Sequence, residues 1–160
     1  MVQKLNFPSY RFTVKPVQGD GQISKIFDTV RRKYVVLTPE EWVRQHLSQF
    51  LVNDLGYPKG RIGLEKAIRV NRLVRRPDIV VFGDSGKPAL VAECKAPSVK
   101  ITQSVFDQAA RYNMTLNASF FILSNGLKTY CCLMHEPTKS YHFLETIPSY
   151  PELKGFTAHL

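Results

Sequence analysis

Cysteine is scarce in this chain: three in 160 residues, Cys94, Cys131 and Cys132, an odd number with two of them adjacent. That pattern suits neither a disulfide framework nor a cysteine-type zinc site, and it points to a reducing compartment. Histidine is equally sparse. His46, His135, His142 and His159 show no H-x-x-x-H or similar spacing, so a histidine-based metal site is not expected. No apolar run approaches the ~18 residues that span a bilayer, and no apolar signal core follows the first charges. The expectation is a soluble, cytoplasmic protein with no membrane partner. There is no internal repeat and no low-complexity linker. Acidic residues are outnumbered, 13 against 22 basic ones, and the net charge of +9 favours a polyanionic partner.

What is present argues for a folded domain. An apolar fraction of 44%, with ten Phe and seven Tyr, is enough to build a core without staples. Residues 1–160 read as one domain in three parts. Residues 1–36 form an irregular arm with short extended pieces and a QGDGQ turn, residues 37–135 the core, and residues 136–160 an extended tail. Within the core a helix begins at Thr38, a good N-cap, with Pro39 at the first position and Glu41 completing a T-x-x-E capping box. Val43, Leu47, Phe50, Leu51 and Leu55 then share one face, until Gly56 closes the helix and Pro58 follows. Arg61–Val70 reads as the first core strand, and Glu65 on it either reaches a site or sits exposed. A second helix is expected over Val105–Leu116, packing through Phe106, Ala109, Ala110 and Met114. The apolar run Ala118–Leu123 fits a buried strand, and Ser124-Asn125-Gly126 turns into a neighbouring one, KTYCCLMH.

The stretch RRPDIVVFGDSGKPALVAECKAP, Arg75–Pro97, carries the chemistry. It reads as two apolar strands joined by a polar turn. If the turn centres on Ser85-Gly86, residues whose numbers sum to 171 pair across the hairpin, and Asp78 falls opposite Glu93. Directly opposed residues have Cβ atoms roughly 4.5–5.5 Å apart, and like charges there are destabilising. Two carboxylates held together between apolar residues call for a counter-charge, and a divalent cation is the simplest one. Strand alternation puts Lys95 on the Glu93 face. The plain alternative makes Asp78 a strand-entry residue and Glu93 with Lys95 an exposed ion pair. Register decides, because a slip of one residue sends the carboxylates to different faces.

RPD, fifteen residues, then ECK resembles the PD-(D/E)XK signature of the restriction-endonuclease-like superfamily. More narrowly, RPDIVVF…LVAECKAP followed by FDQAARY and LSNG is similar to the N-terminal nuclease domain of type I restriction enzyme R proteins, over roughly Phe27–Tyr130. The resemblance implies an α/β fold with a mixed central β-sheet flanked by α-helices, and a Mg²⁺-dependent (or Mn²⁺-dependent) endodeoxyribonuclease. Asp78 and Glu93 would bind the metal with the Cys94 backbone carbonyl, while Lys95 would position water or stabilise developing negative charge. In the superfamily the helix before the sheet often adds an acidic group, here Glu40 or Glu41. Gln108 and Tyr112 resemble a Q-x-x-x-Y motif that supports the site or contacts DNA; as plain sequence they fit an ordinary amphipathic helix equally well.

Two other classes stay open beside the nuclease: a catalytically silent nucleic-acid-binding module on the same fold, and a subunit-interaction domain inactive alone. The implied partners are DNA and either other restriction-system subunits or a second copy. The 160 residues contain no G-x-x-x-x-G-K-[ST] loop, so ATP-driven translocation is not expected from them.

Overall fold

A computed structural model describes residues 3–17, 19–135 and 137–157. Gln18 of the expected QGDGQ turn, Glu136 at the start of the tail, and His159 lie outside the described residues. The fold is mixed α/β, as the hydrophobic patterning and the resemblance both imply. Among the described residues eleven strands and three α-helices follow one another in this order: β1 (Val14–Val17), β2 (Asp20–Asp28), β3 (Lys33–Val36), α1 (Pro39–Asn53), β4 (Ile62–Leu64), β5 (Ile68–Val70), β6 (Leu73–Arg75), β7 (Ile79–Phe82), β8 (Pro88–Cys94), α2 (Gln103–Met114), β9 (Phe120–Ser124), β10 (Thr129–His135), β11 (Ser140–Leu144) and α3 (Tyr150–Thr157).

The central sheet has the order β11-β10-β9-β8-β7-β4. Its neighbours pair antiparallel except β8 and β9, which run parallel because α2 carries the chain from one to the other. Alternation along the strands gives the sheet two apolar faces. Ile79, Val81, Leu90, Ala92 and Ile122 point to the side covered by Val43, Leu47 and Leu51 of α1 and by Leu153 of α3. Val80, Val91, Phe121 and Leu123 point to the opposite side, where Phe106 and Ala110 of α2 pack. A sheet buried on both faces explains the near-continuous apolar runs IVVF, ALVA and FFIL.

The helix termini follow the local sequence. Thr38 Oγ1 accepts the Glu41 N–H at 3.0 Å, half of the expected capping box. The reciprocal half is missing: the Thr38 N–H donates to the Val36 carbonyl at 3.2 Å, and the Glu41 carboxylate is engaged elsewhere. Gly56, at φ +75°, lets the Tyr57 N–H return to the Leu51 carbonyl at 2.9 Å. Helix α2 starts two residues ahead of Val105, since Thr102 is its N-cap and accepts the Val105 N–H.

Three expectations are corrected. The 1–36 arm is not irregular. Strands β1, β2 and β3 form an antiparallel three-stranded sheet, in which Phe27 and Tyr34 face each other with ring centroids 5.2 Å apart. Arg61–Val70 is not one strand. It breaks at Glu65, at φ +48°, so that β4 joins the central sheet while β5 pairs with β6 in a separate ribbon turned by Asn71, at φ +54°. The tail is not merely extended. Its β11 completes the sheet edge, and α3 buries Leu153 fully in the core.

One turn braces the carboxylate end of the hairpin. The Asn125 side chain accepts the Leu127 and Lys128 N–H groups at 3.0 and 2.8 Å, and donates to the Val99 carbonyl at 2.8 Å. Gly126 sits at φ +80°, where an added Cβ would lie 2.7 Å from Leu5. Only glycine fits that conformation with Leu5 packed so close.

Candidate active site

The hairpin register decides the geometry. Ile79 faces Ala92, Val80 faces Val91 and Val81 faces Leu90, the pairs that sum to 171; a shift sets in only at Phe82, which faces Pro88. Asp78 therefore stands across from Glu93 at the open end of the strand pair. Its Oδ2 accepts the Cys94 N–H at 2.6 Å, and its Oδ1 accepts a charge-assisted bond from Arg44 Nη2, also 2.6 Å. Asp78 is 9% exposed, so this pairing is needed to hold its charge in place.

Glu93 is held more loosely. Asn113 of α2 donates to its Oε1 at 3.2 Å, and the Asp78 carboxylate is close enough to share a hydrogen bond with it. Burial first, and the adjacent Asp78 second, push the Glu93 carboxyl up to about 8, although Asn113 and Lys95 pull the other way. Glu93 and Lys95 line a pocket of about 300 Å³ together with Gln108, Tyr112, Asn113 and the flank of α2. The candidates from the hairpin and from α2 thus meet in one cavity. Lys95 continues the ladder beyond β8, donating its N–H to the Ser124 carbonyl at 2.8 Å.

The two helix glutamates diverge. Glu41 is buried in a network: its carboxylate takes bonds from Arg31 at 2.6 Å, Gln45 at 2.8 Å and Arg44. Glu40 is partly exposed, with Arg44 Nη2 3.3 Å away, and its carboxyl is raised by burial and then by Asp78. Lys95 and Arg44 act on it in the opposite sense, so Glu40 faces the hairpin end. Glu65 is there too. Its N–H donates to the Asp78 carbonyl at 3.0 Å, and its carboxylate meets Arg31 and, at 3.6 Å, Arg44.

Arg44, Arg31 and Asn113 escaped the reading of the sequence. For Arg44 a signal existed, since it lies three and four residues after Glu41 and Glu40, the spacing that lets helical side chains meet. Although burial opposes its charge, Asp78 and Glu41 hold the guanidinium above its ordinary value. Arg31 meets Asp28 at 2.5 Å across a turn whose geometry no local pattern announces. Asn113 follows Phe106 and Ala110 along the buried face of α2, and its Oδ1 is buried without a partner. Cross-strand pairing also brings His135 and His142 within 3.0 Å, a contact invisible to spacing along the chain.

Among the described residues no group of three or more His, Cys, Asp or Glu side chains is arranged to hold a metal. The donor set at the hairpin is two carboxylates, the number that Mg²⁺ commonly takes from a protein while keeping several waters. Burial first, and the adjacent Asp78 second, raise the Glu93 carboxyl, and a cation held between the two carboxylates would oppose that rise. The residues fit such an ion. The Cys94 thiol does not join this set: it is fully buried, and burial with Asp78 raises its proton affinity well above normal.

Residues 39–148 match the family described as Type I restriction enzyme R protein N terminus (HSDR_N). The chain belongs to this family. Everything described above from Glu40 to Asn125 lies inside the matched segment. No curated protein matches the chain. Among solved structures it is similar to a fragment of a candidate HsdR subunit of a type I restriction enzyme from Vibrio vulnificus YJ016, with a TM-score of 0.51 and 18% identity. The similarity covers 77% of this chain and 26% of that one, so this R-protein N-terminal chain spans about a quarter of the solved relative. At that identity the likeness supports the fold. Among the described residues no helix is long and apolar enough to cross a membrane.

Proposed function

We propose that this R-protein N-terminal domain is a Mg²⁺-dependent endonuclease of the PD-(D/E)XK type that hydrolyses DNA phosphodiester bonds. The observation that carries the reading is the opposed Asp78–Glu93 pair, with Glu93 pushed up to about 8 and Lys95 beside it in the same pocket. When bound, the divalent ion would supply an activated water and offset charge at the attacked phosphate. Asp78 and Glu93 would hold it, with the Cys94 carbonyl as a third oxygen, and Mn²⁺ would serve as well as Mg²⁺. Arg44 and the Cys94 N–H hold the Asp78 carboxylate in place and aim it. Lys95, an ammonium at the pocket wall, is the group on this chain that can stabilise negative charge growing on a phosphoryl oxygen. Glu40 stands ready as a further acidic group, whereas Glu41 is committed to Arg31, Arg44 and Gln45. Gln108 and Tyr112 form the α2 wall on which substrate would rest.

The Arg44–Asp78 pair also supports a second reading. A carboxylate with both oxygens already bonded serves structure without chemistry, as it would in a silent DNA-binding or subunit-interaction module. Nicking of supercoiled DNA with and without Mg²⁺ or Mn²⁺, by wild type and Lys95→Ala, separates the two. The nuclease predicts metal-dependent nicking that falls by about 10²–10³ in the variant, the size of losing one charge-stabilising group. Salt-sensitive DNA binding by both proteins, with no nicking by either, would establish the silent module.

A further inference from the structure

Between Glu65 and Asp78 the chain has five basic residues, Lys66, Arg69, Arg72, Arg75 and Arg76, and no acidic one. The fold makes a device of this stretch. Strands β5 and β6 pair only with each other, Arg69 opposite Val74 and Val70 opposite Leu73, and stand apart from the central sheet. One face of the ribbon is anchored: Ile68 and Val70 pack on the α2 side of the core. Arg75 lies 4.3 Å over the Tyr112 ring, and its Nε donates to Thr115 Oγ1 at 3.2 Å. Tyr112 is a wall of the Glu93–Lys95 pocket, and β6 runs on through Arg76 and Pro77 to Asp78. The other face is free: Arg69 stands on it opposite Val74, which exposes 53% of its surface. Arg69, Arg72 and Arg76 are exposed and enter no ion pair among the described residues, and Leu73, opposite Val70 at the turn end of the ribbon, is 48% exposed.

We propose that the β5–β6 ribbon is a duplex-DNA-binding arm that lies against the substrate beside the cleavage pocket, with Arg69, Arg72 and Arg76 on the phosphates. The proposal rests on the DNA substrate put forward above and names the surface that engages it. Two features select duplex DNA over other polyanions, and a third favours phosphate binding in general. A two-stranded ribbon fits the B-form major groove, which is about 12 Å wide, whereas the deep A-form groove of duplex RNA excludes it. The ribbon's exposed apolar side chains are aliphatic and suit thymine methyls; single-strand binders present aromatic platforms instead. Finally, guanidinium groups without carboxylate partners have no internal salt bridge to break on binding.

Binding of a random-sequence 25-base-pair DNA duplex, followed by fluorescence anisotropy in EDTA over a range of salt, tests the arm without any cleavage. Arg69→Ala/Arg72→Ala/Arg76→Ala should weaken binding and reduce the slope of log K against log salt by about 2–3, at ~0.9 per lost phosphate contact. Replacing the same three residues by lysine should restore most of the slope. A control carrying Lys4→Ala, Lys59→Ala and Lys87→Ala, exposed positions outside the ribbon, should keep the wild-type slope. Equal losses in the two alanine triples would mean that net charge alone is acting, and would overturn the arm. So would an unchanged slope, a wild type that does not bind, or equally ribbon-dependent binding of duplex RNA. The nuclease can fail separately: ribbon-dependent binding without nicking keeps the arm and rejects catalysis, and nicking with ribbon-independent binding does the reverse.

Discussion

The carboxylates on the two sides of Asp78 are in opposite states. Toward α1, Glu41 and Asp28 are satisfied by Arg31, Arg44, Gln45 and the backbone N–H groups of Val30 and Arg31. Toward α2, Glu93 has one amide donor at 3.2 Å and a proton affinity raised by burial and by its acidic neighbour, while Lys95 lies along an open pocket. Both regions put charged residues among apolar ones, the feature that makes the hairpin conspicuous in sequence. Only one leaves charge under-compensated. Burial of charge is thus a weak pointer to chemistry by itself; what distinguishes the candidate site is incomplete pairing beside a cavity.

The sharpest break of this comparison is on the paired side. Arg44→Met removes one cation from four carboxylates, Glu40, Glu41, Glu65 and Asp78, and should cost about 3–5 kcal/mol, because the buried Asp78 loses its guanidinium partner and Glu41 keeps only Arg31. On the under-paired side Lys95→Met should change stability by no more than about 0.5 kcal/mol. Urea unfolding of both variants checks the contrast, and similar losses would dissolve it.

Next in size is the pH response of Glu93. A carboxyl whose folded pKa is raised keeps its proton in the folded state while the unfolded chain gives it up. The unfolded state then binds fewer protons, so stability falls as pH rises. For Glu93 the window runs from the ordinary 4.5 to about 8. Without metal, the melting temperature should therefore decline across that range, and Glu93→Gln should remove much of the decline. Mg²⁺ held by Asp78 and Glu93 should flatten the wild-type profile and leave that of the variant unchanged.

The smallest expected effect concerns α2. Gln108 is an exposed pocket residue with no buried role, so Gln108→Ala should leave the melting temperature unchanged. It should slow nicking by about tenfold, equivalent to ~1.4 kcal/mol at the transition state. A large loss of stability instead would make Gln108 part of the packing rather than of the pocket.

Much of the fold is legible in sequence because the signals are local. Thr38, Pro39 and Gly56 bound α1, and the turn residues of GDSGKP set a register that brings Asp78 opposite Glu93. The misreadings have local causes as well. IGLEKAIRV carries β-favouring residues on both sides of Glu65, and nothing in composition announces the positive φ there that splits it into two sheets. Strands β1 and β3 are mostly exposed and lack the apolar alternation of core strands, so their pairing with β2 left little pattern to read.

The sequence by itself determined the hairpin, its paired carboxylates and the Lys95 beside them, since alternation and turn chemistry act over a few residues. Tertiary structure alone decided which charges are compensated. Arg44 reaches Asp78 from thirty-four residues away, and Arg31 joins Asp28, Glu41 and Glu65. Helical spacing hints at the Arg44–Glu41 pair, but the reach of Arg44 to Asp78 and of Arg31 to Glu41 and Glu65 depends on which elements packing brings to the same few ångströms, and no spacing along the chain encodes that.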